Sequence, residues 1–104
     1  MIEILTERLS DNFRVKISGH AMYSKGEDIV CAAVSTLFYS LMAALEKDRE
    51  VSVLKSKAQK GCGEISFKGG TESRGAYKMA VEGLTVLARQ YPENITINKI
   101  ERNR

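Results

Sequence analysis

The chain has 104 residues, of which 43% are hydrophobic and 28% are charged, and its formal net charge is +3. This length predicts one domain over residues 1–104, and the ordinary composition excludes the disordered and fibrous classes. The mildly basic balance permits contact with an acidic partner but does not require direct nucleic-acid binding.

Two features of the sequence bear on the compartment. No apolar run approaches the roughly 20 residues that a membrane span needs, and the N-terminal MIEILTERL lacks the basic and apolar segments of a signal peptide. We therefore expect a cytoplasmic protein without membrane contact. In that reducing compartment, the two cysteines are expected to be free thiols rather than a disulfide.

The first half of the chain predicts a β-hairpin followed by a helix. Ile2 and Ile4 share one face of a strand, and FRVKISG alternates apolar and polar residues as a second strand does. From about Glu27 to Lys47 the apolar positions recur at three- and four-residue steps, which is typical of an amphipathic helix. Those positions are Val30, Ala33, Val34, Leu37, Leu41 and Leu45.

The second half repeats this plan. VSVLKSKA and EISFKG predict two strands joined by a turn at Lys60 and Gly61, and a second helix follows, with Pro92 just past its end. NITINKI then closes the chain as an odd strand, which we expect to pair at the interface of a homodimer. The order ββαββαβ predicts an α+β fold, with two helices packed on a mainly antiparallel sheet.

The only histidine and the first cysteine lie at either end of a short loop. His20 follows the second strand, and Cys31 lies in the first turn of the helix, at the edge of its apolar stripe. A helix N-terminus favours the thiolate, and its N–H groups can hold an oxyanion. Glu27 and Asp28 oppose the thiolate through like charge, so a histidine partner is needed. These residues fit a nucleophile with its base, but on their spacing alone a small buried thiol and an exposed histidine are the favoured explanation.

Two neighbouring features extend this candidate site. Asp28, Cys31 and Ser35 are spaced i, i+3 and i+7, which places them within about 60° of one another on the helix surface. Gly19 and Gly26 bracket the segment AMYSK, and we expect them to act as hinges of a loop that closes over the site.

Two short motifs carry a resemblance to a known family. They are GHA at 19–21 and G-x-D-x-x-C-A-x-x-S at 26–35, and several identities coincide there at fixed positions. This pattern resembles the signature of the ribosomal-processing cysteine proteases, the Prp family. The likeness covers the whole chain in size and element order, and outside the motifs it is one of pattern.

The resemblance implies a specific activity. It is that of an endopeptidase which removes an N-terminal extension from a large-subunit ribosomal protein, protein twenty-seven. The nucleophile of the family corresponds to Cys31 and its histidine to His20, while Asp28 and Ser35 correspond to residues that support the site by hydrogen bonding. The resemblance also implies a homodimer that uses no metal or cofactor.

Several of these residues also have a simpler role. Asp28 suits a helix start through its negative charge, and Ser35 suits a packing position beside Cys31. Tyr23, in the loop, either contacts substrate or covers the core. Cys62 lies at the second hairpin turn with no histidine near it in sequence, so we interpret it as incidental.

Other chemistries fit the sequence poorly. A cysteine phosphatase needs an arginine a few residues after its nucleophile, and CAAVSTL has none; a C-x-x-C redox pair is also lacking. A zinc site would need Cys31, Cys62 and His20 to converge with a fourth ligand, at spacings that match no known pattern. The remaining alternative is a non-enzymatic ribosome-assembly or peptide-binding factor that grips a peptide without cutting it.

Overall fold

The computed structural model describes residues 1–19, 28–59 and 61–102. Seven elements follow one another along the chain. They are β1 (Ile2–Leu9), β2 (Asn12–Ser18), α1 (Asp28–Lys47), β3 (Val51–Gln59), β4 (Cys62–Gly69), α2 (Thr71–Gln90) and β5 (Ile95–Arg102). The predicted order ββαββαβ is therefore confirmed, and α1 begins and ends within a residue of its predicted bounds.

The five strands form one sheet in the order β3-β4-β2-β1-β5. Three of the four pairings are antiparallel, and β1 pairs with β5 in parallel, with Ile2 opposite Ile95. The prediction of a mainly antiparallel sheet is confirmed. β5 pairs with β1 within its own chain and forms the second edge of the sheet, so the expectation that this strand contributes to a homodimer interface stays a prediction.

Both helices pack on one face of the sheet, where the strands turn their alternate apolar residues inward. An aromatic cluster lies at the centre of this core. Phe13 and Phe67 stack with ring centroids 5.0 Å apart, and Tyr77 of α2 packs against both rings. Phe67 is 0% exposed, and burial of such a side chain contributes roughly 1.5–3 kcal/mol.

Helix α1 is more apolar than its sequence pattern led us to expect. By length and composition alone, its segment Ile29–Lys47 could cross a membrane, so the expectation that no apolar run approaches this length is wrong. Serine, threonine and tyrosine interrupt the apolar residues there, but no charged side chain stands between Ile29 and Leu45. In the structure this helix contributes one face to the core, through Val30, Val34, Phe38, Leu41 and Leu45.

The opposite sheet face carries charged side chains in a connected row. Glu64 of β4 accepts a 2.9 Å hydrogen bond from Arg14 Nε, and its other oxygen lies 3.2 Å from Lys55 Nζ. Nη1 of Arg14 also lies 3.5 Å from Oε1 of Glu7, on the neighbouring strand β1. Burial acts to raise the pKa of Glu64, but Lys55 and Arg14 outweigh it and hold that pKa below its usual value.

Candidate active site

Cys31 occupies the first turn of α1, as predicted. It is the fourth residue of the helix, is half-buried, and packs against the edge of the core. Cys62 is also a free thiol, so no disulfide joins the two cysteines. A thiol in this position lies near the unpaired backbone N–H groups that open a helix.

A cavity of about 90 Å³ opens beside Cys31. Helix α1 forms one wall and the β3–β4 hairpin forms another, while the ends of β1 and β2 close the remaining side. The lining residues are Ile2, Ile17, Gly19, Cys31, Val34, Ser35, Phe38, Tyr39, Ala58, Gln59, Gly61, Cys62 and Gly63. Most of these side chains are apolar, so the cavity offers an uncharged recess next to the thiol.

Ser35 lies one helical turn after Cys31, and both line the cavity. The i, i+4 step puts them on neighbouring positions of one helix face. The structure therefore brings this predicted pair together. Asp28 begins α1, but its side chain lies outside the described part of the structure, as do His20, Tyr23 and Gly26.

Gly19 immediately follows β2 at the rim of the cavity, in a backbone conformation that favours glycine. Its φ is +75°, and its N–H donates a 3.0 Å hydrogen bond to the carbonyl of Gly61. A Cβ atom here would lie 2.5 Å from the carbonyl oxygen of Met1. The sequence predicts that Gly19 is a loop hinge. The structure adds a steric reason for glycine, because any larger residue would clash with the Met1 carbonyl.

Cys62 lies closer to the site than the sequence indicates. It begins β4 rather than standing in the turn, pairs with Ser18 and Gln59, and lines the same cavity as Cys31. Strand pairing between distant segments brings it there. No local pattern in the sequence could have revealed that arrangement, because β2 and β4 are separated by all of α1 and β3.

Sequence reasoning missed two aromatic side chains of α1 as site residues. Phe38 packs over Gly63, and a Cβ atom added to that glycine would lie 2.8 Å from the phenyl ring. The ring of Tyr39 packs edge-on against that of Phe38, with ring centroids 5.6 Å apart. Tyr39 remains 54% exposed at the cavity. They lie seven and eight residues after Cys31, which is two helical turns along the same helix, and this spacing could have predicted that they lie near it.

Comparison with known proteins decides the family. The family described as "Cysteine protease Prp" matches residues 1–96. The chain belongs to the cysteine protease Prp family. It is accordingly a cysteine protease, a hydrolase acting on peptide bonds. This excludes the alternative of a non-enzymatic binding factor.

Individual proteins similar to this chain agree with this placement. The ribosomal processing cysteine protease Prp of Mycoplasma genitalium is 30% identical over 92 residues, covering 88% of this chain and 91% of the relative. The crystal structure of SMU.848 from Streptococcus mutans superposes with a TM-score of 0.76 at 29% identity, covering 98% of this chain and 96% of that one.

The fold is also shared with the essential ribosomal processing protease Prp from S. aureus. Its complex with a substrate peptide gives a TM-score of 0.71 at 22% identity, and its complex with a covalently linked product peptide gives 0.74 at 23%. Each match covers 95% of this chain and 99% of the other. At these identities the likeness establishes the fold.

Proposed function

We propose that this chain is an endopeptidase that removes the N-terminal extension of ribosomal protein twenty-seven, with Cys31 as nucleophile and His20 as base. The half-buried Cys31 thiol, in the first turn of α1 and open to an apolar cavity, is the observation that carries the proposal. The Prp relative from Mycoplasma genitalium is named for ribosomal processing. The S. aureus relative is described with both a substrate peptide and a covalently linked product peptide.

The proposed reaction follows from the chemistry of a thiol beside an imidazole. His20 accepts the proton of Cys31, and the thiolate attacks the scissile carbonyl to form a tetrahedral oxyanion. Backbone N–H groups at the start of α1 stabilise that charge. His20 then protonates the leaving amine as the C–N bond breaks, leaving a thioester on Cys31. Water attacks the thioester, releases the acid product and restores the thiol.

The remaining candidate residues have supporting roles in this reaction. Ser35, which lines the cavity beside Cys31, supports the site by donating a hydrogen bond. Asp28 orients His20, and Tyr23 contacts the substrate. Gly19 and Gly26 end the loop that closes over it. No metal or cofactor takes part in these steps.

The proposal extends to the state and place of the protein. It forms a single domain over residues 1–104, works as a homodimer, and acts in the cytoplasm where ribosomes assemble. Exposed apolar side chains on the helical layer, such as Ile29 and Met79, offer surface for the contact between copies. No direct contact with nucleic acid or membrane is needed for this activity.

A cleavage assay tests the proposed function. Purified protein is incubated with the unprocessed form of ribosomal protein twenty-seven from the same genome, and the products are identified by mass spectrometry. We expect one cut that releases an N-terminal peptide. An intact precursor after prolonged incubation, with the enzyme shown to be folded by circular dichroism, would contradict the assignment.

A further inference from the structure

Strand β3 stands at one edge of the sheet, with β4 on its inner side. Among residues 1–19, 28–59 and 61–102, no strand pairs with its outer side. Every side chain that the structure describes between Ser52 and Gln59 is exposed. An edge of this kind presents a row of backbone N–H and C=O groups to any extended segment that approaches.

The last two residues of this edge belong to the candidate active site. Ala58 and Gln59 line the cavity that also holds Cys31. No residue of β5, the opposite edge of the sheet, lines that cavity within the described part of the chain. Of the two edges, only β3 therefore leads directly to the thiol.

Proteins commonly protect edge strands with bulges and lysines, and β3 has both. Its register with β4 shifts between Val53 and Lys55, in the half of the strand away from the cavity. From Lys55 to Gln59 the pairing with β4 is regular through five consecutive residues. The irregular part of β3 is remote from Cys31, and the part beside Cys31 keeps the geometry that accepts another strand.

We propose that the outer edge of β3, over residues 55–59, docks the substrate peptide as an added strand and leads its scissile bond to Cys31. This inference rests on the proposed function. Backbone hydrogen bonds hold the peptide along β3, and the apolar cavity receives one of its side chains near the bond that is cut. The recognised partner is an extended peptide segment, read mainly through its backbone.

The charges on β3 argue for a peptide rather than a second copy of the chain. Lys55 and Lys57 are both exposed, and only Lys55 has a described ion-pair partner, Glu64. A two-fold pairing of β3 with β3 would bring these lysines close to their counterparts, and like charges facing each other across strands are destabilising. A peptide with neutral or acidic side chains meets no such repulsion.

Amide hydrogen exchange, followed residue by residue by NMR, tests the docking strand. The probe is a synthetic peptide spanning the N-terminal extension of ribosomal protein twenty-seven, added to the Cys31→Ala variant so that it stays whole. We expect the outward N–H groups of β3, at alternate positions within 55–59, to exchange at least about tenfold more slowly with the peptide bound. The amides of β5 serve as the internal control and should not change.

Proline variants provide the second measurement. Backbone groups alternate in direction along a strand, so one of Ser56→Pro and Lys57→Pro removes an outward N–H and the other breaks a bond to β4. Thermal unfolding identifies the variant that keeps the β3–β4 ladder. We expect that variant to raise KM for peptide cleavage about tenfold while kcat changes little. If both prolines unfold the protein, the exchange measurement alone decides.

The outcomes separate the docking strand from the proposed function. Cleavage of the peptide by the wild-type protein without slowed exchange in β3 would overturn the docking strand and leave the function standing. If the peptide is not cleaved by the wild-type protein and exchange in β3 does not slow, both the docking strand and the proposed function are overturned. Exchange in β3 that slows with protein concentration, before any peptide is added, would show that a second copy occupies this edge and would also overturn the docking strand.

Discussion

At the residue scale, the two cysteines offer a matched comparison because they line the same cavity on different elements. Cys31 stands in the first turn of α1, whereas Cys62 begins β4, away from any described helix start. Of the two, Cys31 is the thiol that lies within the first turn of a helix, where unpaired backbone N–H groups can hold an oxyanion. A shared cavity therefore does not imply a shared chemical role.

We predict that Cys31→Ala abolishes cleavage of the ribosomal precursor, with a loss of roughly a thousandfold or more, because the nucleophile and its base act as a unit. Cys62→Ser is the control and should retain most of the activity. Both rates are measured with the same precursor, and circular dichroism checks that each variant is folded. A folded Cys31→Ala variant that still cleaves would refute the assignment of the nucleophile.

Gly19 provides a second prediction at this scale. Its φ is +75°, and a Cβ atom at this position would lie 2.5 Å from the Met1 carbonyl oxygen, which leaves no room for a side chain. We expect Gly19→Ala to lower the free energy of unfolding by at least about 1–2 kcal/mol, measured by urea denaturation. Gly75→Ala in α2, where a Cβ meets nothing within 4 Å, is the control and should be neutral or stabilising. Equal stability of Gly19→Ala and wild type would show that β2 can end differently.

At the element scale, the start of α2 depends on a side chain from outside the helix. Its N-cap residue is Gly70, which has no side chain to offer. Asp48, in the connection between α1 and β3, accepts hydrogen bonds from Ser73 N–H at 3.0 Å and from Ser73 Oγ at 2.7 Å. The same carboxylate accepts the N–H of Glu50 at 2.9 Å. One residue thus joins α2 to the segment that precedes β3.

This cap predicts a pH dependence of stability. The hydrogen bond from Ser73 Oγ, helped by the backbone of Glu50, holds the pKa of Asp48 below its ordinary value of 3.8. A carboxyl with a lowered pKa stabilises the fold above its unfolded pKa, and this contribution is lost as the pH falls through the folded pKa. We expect Asp48→Asn to lower the melting temperature at neutral pH and to approach wild type in acid, below the folded pKa. A constant difference between the two proteins across the titration would exclude this linkage.

At the scale of the whole molecule, periodicity in the sequence predicted the elements, because strand and helix patterns depend on neighbours in the chain. Alternation at Phe13 and Val15 and the three-to-four spacing from Val30 to Leu45 both correspond to buried faces. Strand order could not be read in this way. The parallel pairing of Ile2 with Ile95, and the approach of Cys62 to Cys31, arise only when distant segments pack together.

The homodimer is the prediction that concerns the whole molecule. β5 pairs with β1 inside one chain, and its outer side has no strand partner in the described part of the chain, so it stays available for a contact between copies. The exposed Ile29 and Met79 side chains on the helical layer are a second surface that we propose for this contact. We expect light scattering at micromolar concentration to give the mass of a dimer, and Met79→Glu to shift it toward the monomer. A monomeric wild-type chain would refute the dimer.

The central claim is that Cys31 is the nucleophile of a peptide-cleaving site. It is tested most directly by a peptide of the ribosomal extension that ends in a chloromethyl ketone, which alkylates a catalytic thiolate. After reaction, intact mass and peptide mapping identify the modified residue. We expect one adduct per chain, on Cys31, with cleavage activity falling in step with labelling. Labelling confined to Cys62, or full activity after Cys31 is completely modified, would contradict the claim.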